Sequence, residues 1–96
     1  MMVIVSYDVS VVTLSGRRRL RRVARVCSDY GQRVQNSVFQ CLVSNDQWVV
    51  MRAKLLGIFN PEEDSLRFYF LGRNWKRRVE HHGAGSVVDL DEPLIT

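Results

Sequence analysis

Apolar residues run almost without a break from Met2 to Tyr7 and stop at Asp8. A β-branched run of this kind reads as a central strand over residues 2–8, covered on both faces. Residues 9–14 read as a loop. From Ser15, a suitable helix N-cap, the spacing changes: Leu20, Val23, Ala24, Cys27 and Tyr30 recur at helical intervals, with Arg18, Arg21, Arg22 and Arg25 on the opposite face, and Gly31 supplies a stop. Residues 32–43 are rich in Val, Phe and Leu and read as strand, either one bent strand or two that break near Asn36 and Ser37. Ser44 and Gln47 have capping-box spacing, and Trp48, Met51, Leu55, Ile58 and Phe59 then give a second amphipathic helix ended by Asn60-Pro61. In residues 64–72 the pattern alternates, with Leu66, Phe68 and Phe70 on one face and Arg67, Tyr69 and Leu71 on the other. A basic stretch and a Gly-containing turn follow, and the chain closes with two short apolar patches around an acidic segment.

Strand, helix, strand pair, helix, strand is the order of an α+β ferredoxin-like sandwich, here with a C-terminal strand added. The whole of 1–96 reads as one domain, with 73–96 as an extension for dimer or partner contact. Two helices cover one face of such a sheet. The first strand and the Phe68/Tyr69 strand are apolar on both sides, so the second face also wants cover, and a second copy of the sheet would supply it. The expected assembly is a homodimer with its sheets packed face to face.

Composition sharpens this picture through charge. Basic residues exceed acidic ones by 14 to 10, for a net +4, and Lys54 and Lys76 are the only lysines. Guanidinium groups form planar, two-pronged contacts to phosphate, so an arginine-dominated surface points to nucleic acid or another polyanion. Cys27 and Cys41 have no metal-ligand spacing and read as buried thiols of a reducing compartment. The N-terminal apolar run is too short for a secretory signal, and nothing approaches the roughly 20 residues of a membrane span. The expected location is the cytoplasm, with no membrane partner.

Three groups of residues could carry chemistry. Asp8 ends an apolar strand, which fits two readings: a salt bridge or capping role, or ligation of a metal such as Mg²⁺, which takes hard oxygen ligands and needs few carboxylates. If a dimer axis passes near the strand end, two Asp8 carboxylates could share one ion. The run "GRRRLRR" places Arg17, Arg18, Arg19, Arg21 and Arg22 at a helix N-terminus, where the free amides already favour anions, and no acidic residue interleaves them. Arg73, Lys76, Arg77 and Arg78 surround Trp75 in a second basic patch suited to phosphate contact and base stacking. His81 and His82 lack any nucleophile or ligand spacing and read as strand or surface residues, while Glu62, Glu63 and Asp64 read as a solvated turn. No organic cofactor is implied.

The stretches "VSYDVS", "GRRRLRRVARVCSDYGQRVQNSVFQC", "DSLRFYFLG" and "VEHHG" together resemble the CRISPR-associated Cas2 family over nearly the whole chain. The resemblance implies a ferredoxin-like homodimer with metal-dependent endonuclease activity on single-stranded RNA or duplex DNA. It also implies a bridging role between dimers of the CRISPR integrase Cas1 during spacer acquisition in antiviral defence. By motif, Asp8 corresponds to the family's metal-site aspartate, binding Mg²⁺ or Mn²⁺, with Tyr7 beside it as a catalytic neighbour. Arg33, Ser37 and Phe39 correspond to a signature facing the cleft. Arg17, Arg18, Arg19, Arg22, Arg77 and Arg78 fall in regions that contact phosphates, and the C-terminal patches match a strand exchanged onto the partner sheet. The competing readings are a non-catalytic DNA-binding scaffold of the integrase, a ferredoxin-like RNA-binding module and a small-molecule-sensing dimer.

Overall fold

The computed structural model describes residues 1–72 and 79–84. Strand β1 (Met2–Asp8) alternates strictly: Val3, Val5 and Tyr7 are fully buried, and Met2, Ile4, Ser6 and Asp8 face the other way. Helix α1 (Leu14–Ser28) follows a short loop. Its N-cap is Thr13, whose hydroxyl accepts a hydrogen bond from the Gly16 amide at 3.0 Å. The helix therefore begins ahead of the cap read at Ser15. Gly16 is required by close approach, since a Cβ there would sit 1.8 Å from the Ser10 carbonyl oxygen.

Helix α1 ends at Ser28 with Asp29 as its C-cap, and Gly31 opens the next strand instead of stopping the helix. Residues 32–43 form two strands, β2 (Gly31–Gln35) and β3 (Val38–Leu42), separated at Asn36 and Ser37. Helix α2 (Asn45–Ile58) carries the expected capping box, with Ser44 accepting from the Gln47 amide and Gln47 accepting from the Ser44 amide. The chain continues into β4 (Ser65–Leu71) and β5 (Val79–Gly83).

All strand pairs are antiparallel and the order is β2-β3-β1-β4-β5, the ferredoxin-like arrangement with one strand added beside β4. The two helices cover the face that presents Val3, Val5, Tyr7, Phe39, Cys41, Leu66 and Phe68, and with Leu20, Val23, Cys27, Trp48, Met51 and Leu55 these make one core. Trp48 anchors α2, meeting Phe68 and Phe70 edge-on at 4.8 and 5.3 Å between ring centres. Arg52 of α2 pairs with Glu80, which also bonds His82, and this ties β5 to the helical side. Cys27 and Cys41 are both buried, with Cys41 Sγ 3.8 Å from the Cys27 carbonyl oxygen. The opposite sheet face carries Met2, Ile4, Val38, Leu42, Tyr69 and Leu71, and no described element packs on it. The patch around Trp75 and the apolar stretches at 87–95 lie outside the described residues.

Candidate active site

Asp8 is the last residue of β1 and lies opposite Ser65 of β4. It is exposed, and no ion pair reaches it among the described residues. A strand-terminal carboxylate in contact with water needs no counter-charge, and the salt-bridge reading of Asp8 finds no partner among the described residues. A cavity of about 280 Å³ opens beside it, lined by Ser6, Tyr7, Asp8, Ser37, Ser65 and Arg67. The lining is one carboxylate, one guanidinium and three aliphatic hydroxyls, a set suited to cations and phosphate oxygens and poor for apolar ligands.

The antiparallel register explains the gathering. Asp8 and Ser6 share the open face of β1; across from them on β4 stand Ser65 and Arg67, and across from Arg67 on β5 stands His81. The Ser65 hydroxyl lies 2.7 Å from His81 Nε2, and that same nitrogen is 3.2 Å from the Ala84 carbonyl oxygen. Ser37 comes from the β2–β3 connection, where its carbonyl accepts the Tyr7 amide at 2.9 Å. Ser6, Ser65, Arg67 and His81 were not singled out as site residues from sequence. The alternation in "SLRF" puts Ser65 and Arg67 on one face, but only the pairing of β4 with β1 brings them to Asp8.

The other predicted residues stand differently to this cavity. Tyr7 borders it, but its ring is fully buried and its hydroxyl donates to Asp64 on the helical side, away from the face that Asp8 shares. Phe39 also points into the core, and Arg33 lies over its ring, 5.2 Å from the centroid, at the far side of the sheet. Of the three "RVQNSVF" positions, Ser37 alone reaches the cleft. Arg77 and Arg78 lie outside the described residues.

Asp64, read as part of a solvated turn, is instead a buried hub. Its Oδ2 accepts from the Tyr7 hydroxyl, from Arg19 Nε at 2.8 Å and from the Asn60 amide at 3.0 Å, while Oδ1 accepts from a terminal Arg19 nitrogen at 3.0 Å. Burial pushes the Asp64 carboxyl up, yet the bonds from Arg19, Tyr7 and Asn60 outweigh it and hold the group below the usual carboxylate range. Burial and the bond to Asp64 raise the Tyr7 phenol, and the same carboxylate raises Arg19. Arg19, counted above among the phosphate-contacting arginines, is committed to this hub, with a second contact to Glu63 at 3.2 Å.

Arg17, Arg18, Arg21, Arg22 and Arg25 remain exposed along α1, and none of the described ion pairs engages them. They extend over roughly 12 Å of helix at 1.5 Å per residue, or about three phosphate steps of a strand at 3.4 Å. Arg22 and Arg25 also join Lys54 at a groove between α1 and α2. The described residues contain no cluster of three His, Cys, Asp or Glu side chains able to hold a metal. Asp8 with neighbouring hydroxyls fits a hard cation in ligand type, and among the described residues it is the single carboxylate lining this cavity.

Comparison with known proteins agrees with this architecture. The family description of CRISPR associated protein Cas2 matches residues 1–79. The CRISPR-associated endoribonuclease Cas2 of Chlorobaculum tepidum is 59% identical over 95 residues, covering 99% of each chain. A CRISPR-associated endonuclease Cas2 of Halalkalibacterium halodurans is 48% identical over 95 residues, again covering 99% of each chain. The crystal structure of Streptococcus pyogenes Cas2 at pH 6.5 superimposes with a TM-score of 0.73 at 56% identity, covering 83% of this chain and 96% of that one. With the family matched over most of its length and the ferredoxin-like sheet in place, this chain belongs to the Cas2 family of CRISPR-associated proteins.

Proposed function

We propose that this protein is a metal-dependent endonuclease of single-stranded RNA or duplex DNA, acting as a homodimer in which two Asp8 carboxylates hold one Mg²⁺ or Mn²⁺. The observation that carries this reading is the exposed Asp8, without an ion pair among the described residues, beside a hydroxyl- and guanidinium-lined cavity. Relatives named endoribonuclease and endonuclease support it. The open sheet face, with Ile4, Val38, Leu42, Tyr69 and Leu71 lacking cover from any described element, supports the dimer. When bound, such an ion polarises a phosphodiester and makes water acidic enough to act as nucleophile near neutral pH. The chain's own contribution is to supply the ligand oxygen of Asp8, to set Arg67 beside the scissile phosphate, and to hold the nucleic acid through α1. With so few carboxylates the reaction is slow, and because contacts are to phosphate, sequence preference is weak. The direct test is cleavage of labelled single-stranded RNA and duplex DNA with Mg²⁺ and with EDTA. Cleavage dependent on the ion is expected, and EDTA-insensitive cleavage would contradict the metal.

A second role is proposed for the same dimer, bridging copies of the CRISPR integrase Cas1 along duplex DNA during spacer acquisition. The exposed arginine stripe of α1 favours it, because it runs further than one cleavage site needs. Replacing both Arg18 and Arg22 with Glu is expected to weaken duplex binding at least tenfold. It should also lower the slope of log affinity against log salt by about two, one for each lost phosphate contact. Fluorescence anisotropy over a salt series measures both, and an unchanged slope would place the duplex elsewhere. An RNA-recognition module is disfavoured, since such modules stack bases on aromatic residues of their two central strands. Here β1 and β3 present Met2, Ile4, Ser6, Val38, Gln40 and Leu42 on the open face.

A further inference from the structure

Ser65 and His81 form a pair beside Asp8 that the mechanism so far leaves unused. The Ser65 hydroxyl and the Ala84 carbonyl both lie within hydrogen-bond distance of one ring nitrogen, His81 Nε2, at 2.7 and 3.2 Å. A carbonyl oxygen can only accept, so a proton on Nε2 satisfies both contacts at once as a shared donor. In that arrangement the Ser65 oxygen accepts, and its own hydrogen is left to point elsewhere.

Ser65 is 6% exposed, and the cavity it lines is the one that Asp8, Ser6, Ser37 and Arg67 share. Among the described residues no hydrogen bond joins Ser65 to Asp8. The alternative, an unprotonated Nε2 receiving the serine proton, would set two acceptors, the ring nitrogen and the Ala84 oxygen, against each other at 3.2 Å. The Ala84 carbonyl thus fixes the ring tautomer, the ring fixes the serine rotor, and the rotor presents a donor to the cavity.

Building on the nuclease reading above, we propose that Ser65 is a substrate-contacting residue that donates a hydrogen bond to a non-bridging oxygen of the phosphodiester, and that His81 is its positioning residue. Arg67 is the next residue on the same face of β4 after Ser65, in register with Ser6 on one side and His81 on the other, so the phosphate meets a guanidinium and an oriented hydroxyl together. His82, one residue on, turns to the helical side and serves Glu80 instead.

The test compares wild type with Ser65→Ala, His81→Leu and His81→Gln in single-turnover cleavage of a labelled single-stranded RNA with Mg²⁺, alongside thermal melts. Ser65→Ala and His81→Leu are each expected to slow cleavage about tenfold, the usual loss for one bond to a charged group. His81→Gln, whose amide can still donate from a similar position, is expected to stay within about threefold of wild type. Wild-type cleavage by Ser65→Ala, or a His81→Gln variant as slow as His81→Leu, would overturn the assignment; the latter would mark His81 as a proton-transfer group. If the wild type does not cleave, the nuclease reading fails, and equilibrium affinity for the same RNA takes over as the readout. Ser65→Ala and His81→Leu should then bind more weakly than wild type and His81→Gln, and equal affinities would remove the phosphate contact.

Discussion

Asp8→Ala is expected to reduce metal-dependent cleavage by about 10²- to 10⁴-fold, the range for losing metal-centred stabilisation of a transition state. The same substitution should leave stability within about 0.5 kcal/mol, because Asp8 is exposed at a strand end and holds no ion pair in the described structure. Affinity for nucleic acid without metal should be unchanged or slightly higher, since a negative charge near the phosphates is removed. This asymmetry is the signature of a ligand-binding carboxylate. A structural carboxylate would lose stability and activity together. Single-turnover cleavage, thermal melts and metal-free anisotropy on one preparation read the three quantities.

Asp64→Ala should do the reverse and unfold the protein at modest temperature. Removing this carboxylate strands the Arg19 guanidinium, whose side chain is 14% exposed, together with the buried Tyr7 hydroxyl and the Asn60 amide. Breaking one side of a buried charge pair costs about 3–5 kcal/mol. Against a total of about 5–15 kcal/mol for a domain, and about 4–8 °C per kcal/mol at this size, Tm should fall on the order of 15–30 °C. Acid should reproduce part of the loss. The Asp64 carboxyl is held below its ordinary value in the folded state, so its stabilisation is full above the unfolded carboxyl pKa of about 3.9 and drains away as pH falls through the folded value. Glu80, lowered by its bond to Arg52, adds a term of the same sign. Melts of wild type and Asp64→Asn between pH 2 and 7 should converge at the acid end. A constant gap between the two would assign the acid sensitivity to other groups.

These two aspartates also mark what could be read from sequence. Strand and helix order followed from local spacing: the alternation around Phe68 and the capping box at Ser44 each act within a few residues, whereas local spacing left residues 32–43 open between one bent strand and the two that form. The arginine face of α1 was legible for the same reason. Asp64 was not, because its partners Tyr7 and Arg19 lie 57 and 45 residues away and meet it only when β1, α1 and the turn before β4 converge. Arg19 has the same side-chain chemistry as Arg18, and nothing local separates the one held by Asp64 from the one left to solvent. Phe39 and Tyr7 both turn their rings into the core, so closeness in sequence to Ser37 and Asp8 did not carry the phenyl ring or the Tyr7 hydroxyl into the cleft. The helix starts at Leu14 because Thr13 takes the N-cap role in place of Ser15, its hydroxyl accepting from the Gly16 amide, and the two residues are alike as caps by type.

The most direct test of a site shared between two copies is a mixing titration. Wild-type chain is combined with increasing Asp8→Ala chain under conditions that let subunits exchange, and metal-dependent cleavage is measured at constant total protein. If one ion needs both carboxylates, a mixed dimer is inactive, and the rate falls as the square of the wild-type fraction. A rate that falls linearly would mean that each chain cleaves alone with a single Asp8, and the shared metal would have to be abandoned.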